Sequence, residues 1–137
     1  MIYRYSIGCS LSNLKGARDF VRKSLEGQHI PEVELGAITL AVDEMCSNLM
    51  IHAHHCNPND HLELSIQVKE DKQLVFEIID SASVFDINKF NEPALENLIH
   101  EKRKGGLGIR LVKSIMDQVE YLKRDGKNVC RMSKKIP

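Results

Sequence analysis

The sequence has no excess of charge of either sign. Nineteen lysines and arginines face nineteen aspartates and glutamates, so there is no global basic field of the kind that binds nucleic acid. It also has no apolar run approaching the length of a membrane span, and Met1-Ile2-Tyr3-Arg4-Tyr5 does not open a signal peptide. C-x-x-C spacing is missing as well: Cys9, Cys46, Cys56 and Cys130 are scattered. Without a secretion signal they read as reduced thiols, and the expectation is a cytoplasmic protein with no direct contact to membrane or nucleic acid. Nothing repeats internally. What remains is 137 residues, 42% apolar and 28% charged, the composition of one soluble globular domain spanning residues 1–137.

Taken in order, Ile2 to Ile7 alternates apolar and polar residues and predicts a short edge strand. Ser10 or Ser12 can cap a following helix, with Leu14, Ala17, Phe20, Val21 and Leu25 at helical spacing and Gly27 as its stop. Pro31 fits the first turn of the longest helix, in which Leu35, Ile38, Ala41, Val42, Met45, Leu49 and Met50 keep the 3.6 period to about His52. Asn57-Pro58-Asn59-Asp60 breaks it. His61–Val68 and Gln73–Asp80 read as paired strands, the second more apolar and so nearer the middle of the sheet. Residues 81–105 have no sustained period and suggest a long surface segment, with a helical turn near 93–100. Helical spacing returns from Leu107 to Val119. A hairpin of Val119–Leu122 and Lys127–Met132 then closes the chain around Asp125-Gly126. The expectation is an α+β sandwich, one mixed and mostly antiparallel sheet with helices on one face.

The longest helix carries an unusual stripe. Glu44, Asn48 and His52 are four apart, each step turning about 40° past a full circle and climbing roughly 6 Å. An acid, an amide and an imidazole therefore share one face, while Met45, Leu49 and Met50 supply the apolar face beside it. Two further features accompany the stripe. Asp80 sits where the apolar strand stops, placed to accept hydrogen bonds from a ligand or simply to cap a turn. Lys104-Gly105-Gly106-Leu107-Gly108-Ile109 runs into a helix, and glycines there allow an anion to approach free backbone N–H groups. It matches neither the P-loop nor the G-x-G-x-x-G pattern.

In this order, E-x-x-x-N-x-x-x-H at Glu44, Asn48 and His52, D-x-x-x-x-F-D at Asp80 to Asp86, and G-G-L-G-I-R-L-V at Gly105 to Val112 resemble the GHKL superfamily of ATP-binding domains. Within it they are most similar to the anti-sigma-factor serine kinases. The resemblance implies a GHKL (Bergerat-type) fold that binds ATP with Mg²⁺. It makes Asn48 the Mg²⁺ ligand, Glu44 the general base toward a substrate serine, and Asp80 the acceptor for the adenine amino group. Lys104, Gly105, Gly106 and Gly108 would lie along the phosphates, with Leu107 and Ile109 packing nearby and His52 supporting the site. It further implies a homodimer that binds a sigma factor and phosphorylates a STAS-type anti-anti-sigma protein. Two positions depart from the family pattern. Ala82 stands where a glycine is usual, and Gly126 is followed by Lys127-Asn128, so that the Asn128 amide would replace a hydroxyl beside adenine.

Two other readings follow from the same residues. His52, His54, His55 and Cys56 have ligand chemistry suited to zinc, but on a continuing helix His54 would point away and no second ligand pair lies at a recognisable spacing. A solvated helix end is the better expectation. The departures at Ala82 and Asn128 favour a different alternative, a non-catalytic module that holds a nucleotide or none and sequesters a regulatory partner.

Overall fold

The computed structural model describes residues 1–52, 61–80 and 106–136. Among these residues, five strands and three α-helices make up the main regular structure: β1 (Ile2–Gly8), α1 (Leu14–Leu25), α2 (Glu32–His52), β2 (His61–Val68), β3 (Gln73–Asp80), α3 (Gly106–Ile115), β4 (Gln118–Arg124) and β5 (Lys127–Lys135). The strands form one sheet in the order β1-β2-β3-β5-β4. All four pairings are antiparallel. The expected edge strand is β1, and the more apolar strand β3 occupies the centre.

Period-two patterning explains which way the sheet faces. Leu62, Leu64 and Ile66 of β2 lie beside Leu74, Phe76 and Ile78 of β3, and Cys130 and Met132 of β5 continue the row, all buried. The helices lay their own apolar faces on that surface. Leu14, Ala17, Val21 and Leu25 come from α1; Ile38, Ala41, Val42, Met45, Cys46, Leu49 and Met50 from α2; Ile109 and Val112 from α3. Helix α2 runs between the other two and packs against both. A fully buried side chain of this size contributes about 1.5–3 kcal/mol through apolar burial, so the α2 face anchors the layer firmly. The other side of the sheet carries half-buried Glu63, Ser65, Gln67, Glu77 and Arg131.

Local chemistry differs from expectation at three places. Neither serine caps α1: Ser10 and Ser12 bond each other at 2.9 Å, a 3-10 turn at Leu11–Asn13 intervenes, and Asn13 donates its side-chain amide to the Gly8 carbonyl. Gly27 does not reverse the chain. Helix α1 ends at Leu25, a second 3-10 turn spans Glu26–Gln28, and His29 takes the left-handed conformation with φ 56°. Helix α3 stops at Ile115 rather than continuing to Val119. The Asp117 amide already bonds Ser133 across the sheet, and Val119 pairs with Met132, so strand pairing captures the last two positions of the apparent helical period. The β4–β5 turn is as expected: Asp125 and Gly126 both have positive φ, 55° and 77°, the signature of a tight type I′ hairpin. The Asn57–Asp60 break, the 81–105 segment, His54, His55 and Cys56 lie outside the described residues.

Candidate functional site

Asp80 is the last residue of β3, and it is buried at 2% exposure. Its partner across the antiparallel pair is Asn128 of β5, and Leu62 of β2 flanks it on the other side. Directly opposed residues have side chains about 4.5–5.5 Å apart at Cβ. Pairing of two distant sequence segments thus puts the expected adenine acceptor beside the amide expected to assist it.

Above the sheet, α2 brings Glu44 and Asn48 onto one face. Asn48 is 1% exposed, and among the described residues neither its Oδ1 nor its Nδ2 has a hydrogen-bond partner. A buried polar group left unpaired costs about 1–3 kcal/mol, and native structures hold few of them. Two on one side chain leave it able to take a ligand. An amide oxygen is a hard donor suited to Mg²⁺, which keeps several waters and needs few protein ligands. The donor chemistry at Asn48 therefore fits the metal.

Glu44, one turn earlier, is half-buried. Burial, reinforced by the neighbouring Asp43 charge, raises its carboxyl above the ordinary range, which moves it toward the range useful to a general base. Asp43 is itself held at 2.8 Å by Arg18 of α1. On the other flank, Glu44 meets the first turn of α3: a Cβ built on Gly108 would lie 2.5 Å from Glu44 Oε2. Ile109, the next residue, is buried in the core at 1% exposure. Gly106 and Leu107 begin the same helix, and His52 ends α2. Lys104 and Gly105 lie outside the described residues.

The fold thus gathers Glu44, Asn48, Gly108 and Ile109 at the α2–α3 junction and sets Asp80 opposite Asn128 at the sheet end. Sequence reasoning missed the Arg18–Asp43 pair. Asp43 adjoins Glu44 and was visible, but nothing in sequence ties it to a residue 25 positions away. It also missed the layer beneath the stripe, where Tyr121 donates its hydroxyl to Met45 Sδ at 3.3 Å. Burial pushes the Cys130 thiol up to about 12 and raises Cys46 still further, with Asp43 adding to it. Both thiols are thus protonated and unreactive at neutral pH. Cys46 and Cys130 are free and buried, and Cys9 is buried as well. Among the described residues, no three His, Cys, Asp or Glu side chains are grouped to hold a metal.

The chain is similar to several known proteins. The chain is 32% identical over 101 residues to the serine-protein kinase RsbW of Halalkalibacterium halodurans, an alignment covering 71% of this chain and 60% of that protein. It is 27% identical over 92 residues to the serine/threonine-protein kinase BtrW of Bordetella bronchiseptica, covering 66% and 63%. Against RsbW of Bacillus subtilis the identity is 26% over 100 residues, covering 70% and 62%. The chain thus matches somewhat under two thirds of the length of these relatives. Among solved structures, the SiaB–SiaC complex from Pseudomonas aeruginosa matches with a TM-score of 0.69 at 15% identity, covering 96% of this chain and 88% of that one. The RsbU and RsbW domains of a Mycobacterium tuberculosis protein match at 0.67 and 9%, covering 99% and 32%. At such identities the likeness speaks for the fold, which is the expected one. The family model for the histidine kinase-like ATPase domain matches residues 9–134, a span that includes the Glu44–Asn48 stripe, the Asp80–Asn128 pair and the α3 entrance. The chain belongs to the family of histidine kinase-like ATPase domains.

Proposed function

We propose that this protein is an ATP-dependent serine kinase that acts as an anti-sigma factor and phosphorylates a STAS-type anti-anti-sigma protein. The observation that carries the reading is Asn48: a buried amide with two unpaired atoms, one turn from a carboxyl whose proton affinity is raised. The serine-protein kinases among its relatives support the reaction type, and the solved SiaB–SiaC pair supports a protein partner.

In this reading the hydroxyl of the partner's serine attacks the γ-phosphorus. Its proton passes to the Glu44 carboxylate, the oxygen–phosphorus bond forms, and the bond to the β,γ-bridging oxygen breaks, its electron pair leaving with ADP. Asn48 would hold Mg²⁺, which neutralises charge on the phosphates. Asp80, with Asn128 beside it, would receive the adenine, Gly106 would lie near the phosphates, and Gly108 would face the Glu44 carboxylate. The protein would work as a homodimer in the cytoplasm.

Mg-ATP titration followed by transfer of labelled phosphate to a candidate STAS-type protein tests the reading. Transfer should fall by about 10²–10⁴ in Glu44→Ala, the range general-base assistance supplies. Undiminished transfer removes Glu44 from the role, and absence of Mg-ATP binding at millimolar concentration removes the kinase. Binding without transfer would leave the sequestering module, the reading that the Asn128 departure favours.

A further inference from the structure

We propose that Gly108 is a positioning residue for Glu44, its missing side chain creating the space in which the carboxylate rests. The inference rests on the kinase reading for its catalytic consequence, but its geometry is independent of it. Glycine inside a helix is less stable than alanine, so a glycine at the third position of α3 needs a cause. At Gly36 of α2, an added Cβ would come no nearer than 3.9 Å to Arg22 Nη2. At Gly108 it would stand 2.5 Å from Glu44 Oε2, 3.4 Å from its Cδ and 3.6 Å from its Cβ. The last two are ordinary contacts; only the first is forbidden.

The distribution of those distances says what a methyl at 108 would displace. The stem of Glu44 can stay in place, and Ile109, buried at 1% exposure in the core, anchors α3 from the other side. The free end of the glutamate is the softest part of the contact. A methyl therefore turns the carboxylate aside before it moves either helix. A displacement of about 1 Å at a reacting group can cost on the order of 10² in rate, although the fold would hardly register it. Helix α3 thus acts as a stop that sets how far the carboxylate lies from the serine it must deprotonate.

The test compares Gly108→Ala in three backgrounds, by phosphate transfer, by Mg-ATP affinity and by melting temperature. In the wild-type background, the expected result is a fall in kcat of roughly 10–100-fold with Mg-ATP affinity held within about threefold. Glu44→Asp retracts the carboxylate by one methylene, so adding Gly108→Ala to it should change kcat no further. The third arm needs no activity. With Glu44→Ala the space is free, and Gly108→Ala should raise Tm by its helix propensity, more than it does with Glu44 present. A loss confined to Mg-ATP affinity would make Gly108 a phosphate contact and overturn the proposal. An equal effect of Gly108→Ala in the wild-type, Glu44→Asp and Glu44→Ala backgrounds would overturn it too, because the two positions would then be uncoupled. If the wild-type protein transfers no phosphate, the kinase reading fails by itself, while the Tm cycle still decides whether 108 and 44 share the space.

Discussion

On the open side of the sheet Glu77 is bound three times, whereas on the helix side Asn48, among the described residues, is bound by nothing. Arg124 approaches Glu77 with two nitrogens, at 3.1 and 2.7 Å, and Arg131 adds a third bond at 2.9 Å. These bonds, that of Arg124 foremost and that of Arg131 after it, hold the Glu77 carboxyl below its usual range against the opposing effect of burial. Glu44 moves the other way, raised by burial and by Asp43. Both regions contain partly buried acids and buried or half-buried polar groups. In one the protein satisfies them itself; in the other, among the described residues, both polar atoms of Asn48 stay unpaired. Polar satisfaction separates structural polarity from functional polarity more sharply than burial does.

Replacing Asn48 by leucine should break the comparison most visibly. Mg²⁺-dependent nucleotide affinity should fall by at least about tenfold, in line with the loss of a metal ligand or its close support. Stability should rise by ~1–2 kcal/mol, because two unpaired buried polar atoms disappear. Calorimetric titration and urea unfolding measure the two effects, and a leucine variant that binds Mg-ATP normally ends the metal assignment. Glu77→Leu is the counterpart. It should cost ~1 kcal/mol, reduced from a fully buried pair because Arg124 is 42% exposed, and leave nucleotide affinity unchanged. A stabilised Glu77 variant would mean that the open-face network is not structural.

The smallest effect is a pH dependence, and its sign differs between the two acids. Glu44 has a raised carboxyl in the folded state, so its contribution is complete below the unfolded value of about 4.3 and is lost as pH rises through the folded value. Glu44→Gln should therefore raise Tm by a degree or two at pH 8, and the gain should vanish toward pH 4. Glu77 has a lowered carboxyl, so its stabilisation is present above the unfolded value and is lost as pH falls through the folded one. Melting curves of Glu44→Gln and Glu77→Gln from pH 3 to 8 should diverge in opposite directions. Parallel curves would show that burial at Glu44 is not what raises its carboxyl.

Much of the fold was legible because it rests on short periods. Alternation in Leu62–Val68 marks a buried face directly, the denser apolar run from Leu74 to Ile79 marks the central strand, and the spacing of Ile38, Val42, Met45 and Leu49 marks the buried face of α2. The end of α3 was not legible. Met116 and Val119 continue a helical period, yet Asp117 bonds Ser133 and Val119 pairs with Met132 across the sheet, and tertiary pairing overrides a local pattern. The caps of α1 failed for a similar reason: Ser10 had a second hydroxyl within 2.9 Å, and that alternative partner took the place of a backbone N–H.

Sequence alone determined that Glu44 and Asn48 share a helix face, since a spacing of four admits no other arrangement on an α-helix. It also placed an acid at the end of a core strand and glycines at the entrance of the last helix. Only the tertiary structure decided that the Asn48 amide has no partner among the described residues, that Arg18 holds Asp43, that Asn128 lies opposite Asp80, and that Gly108 abuts the Glu44 carboxylate. Local periodicity sets which side of an element is apolar, but which elements meet, and how closely, depends on packing the whole chain at once.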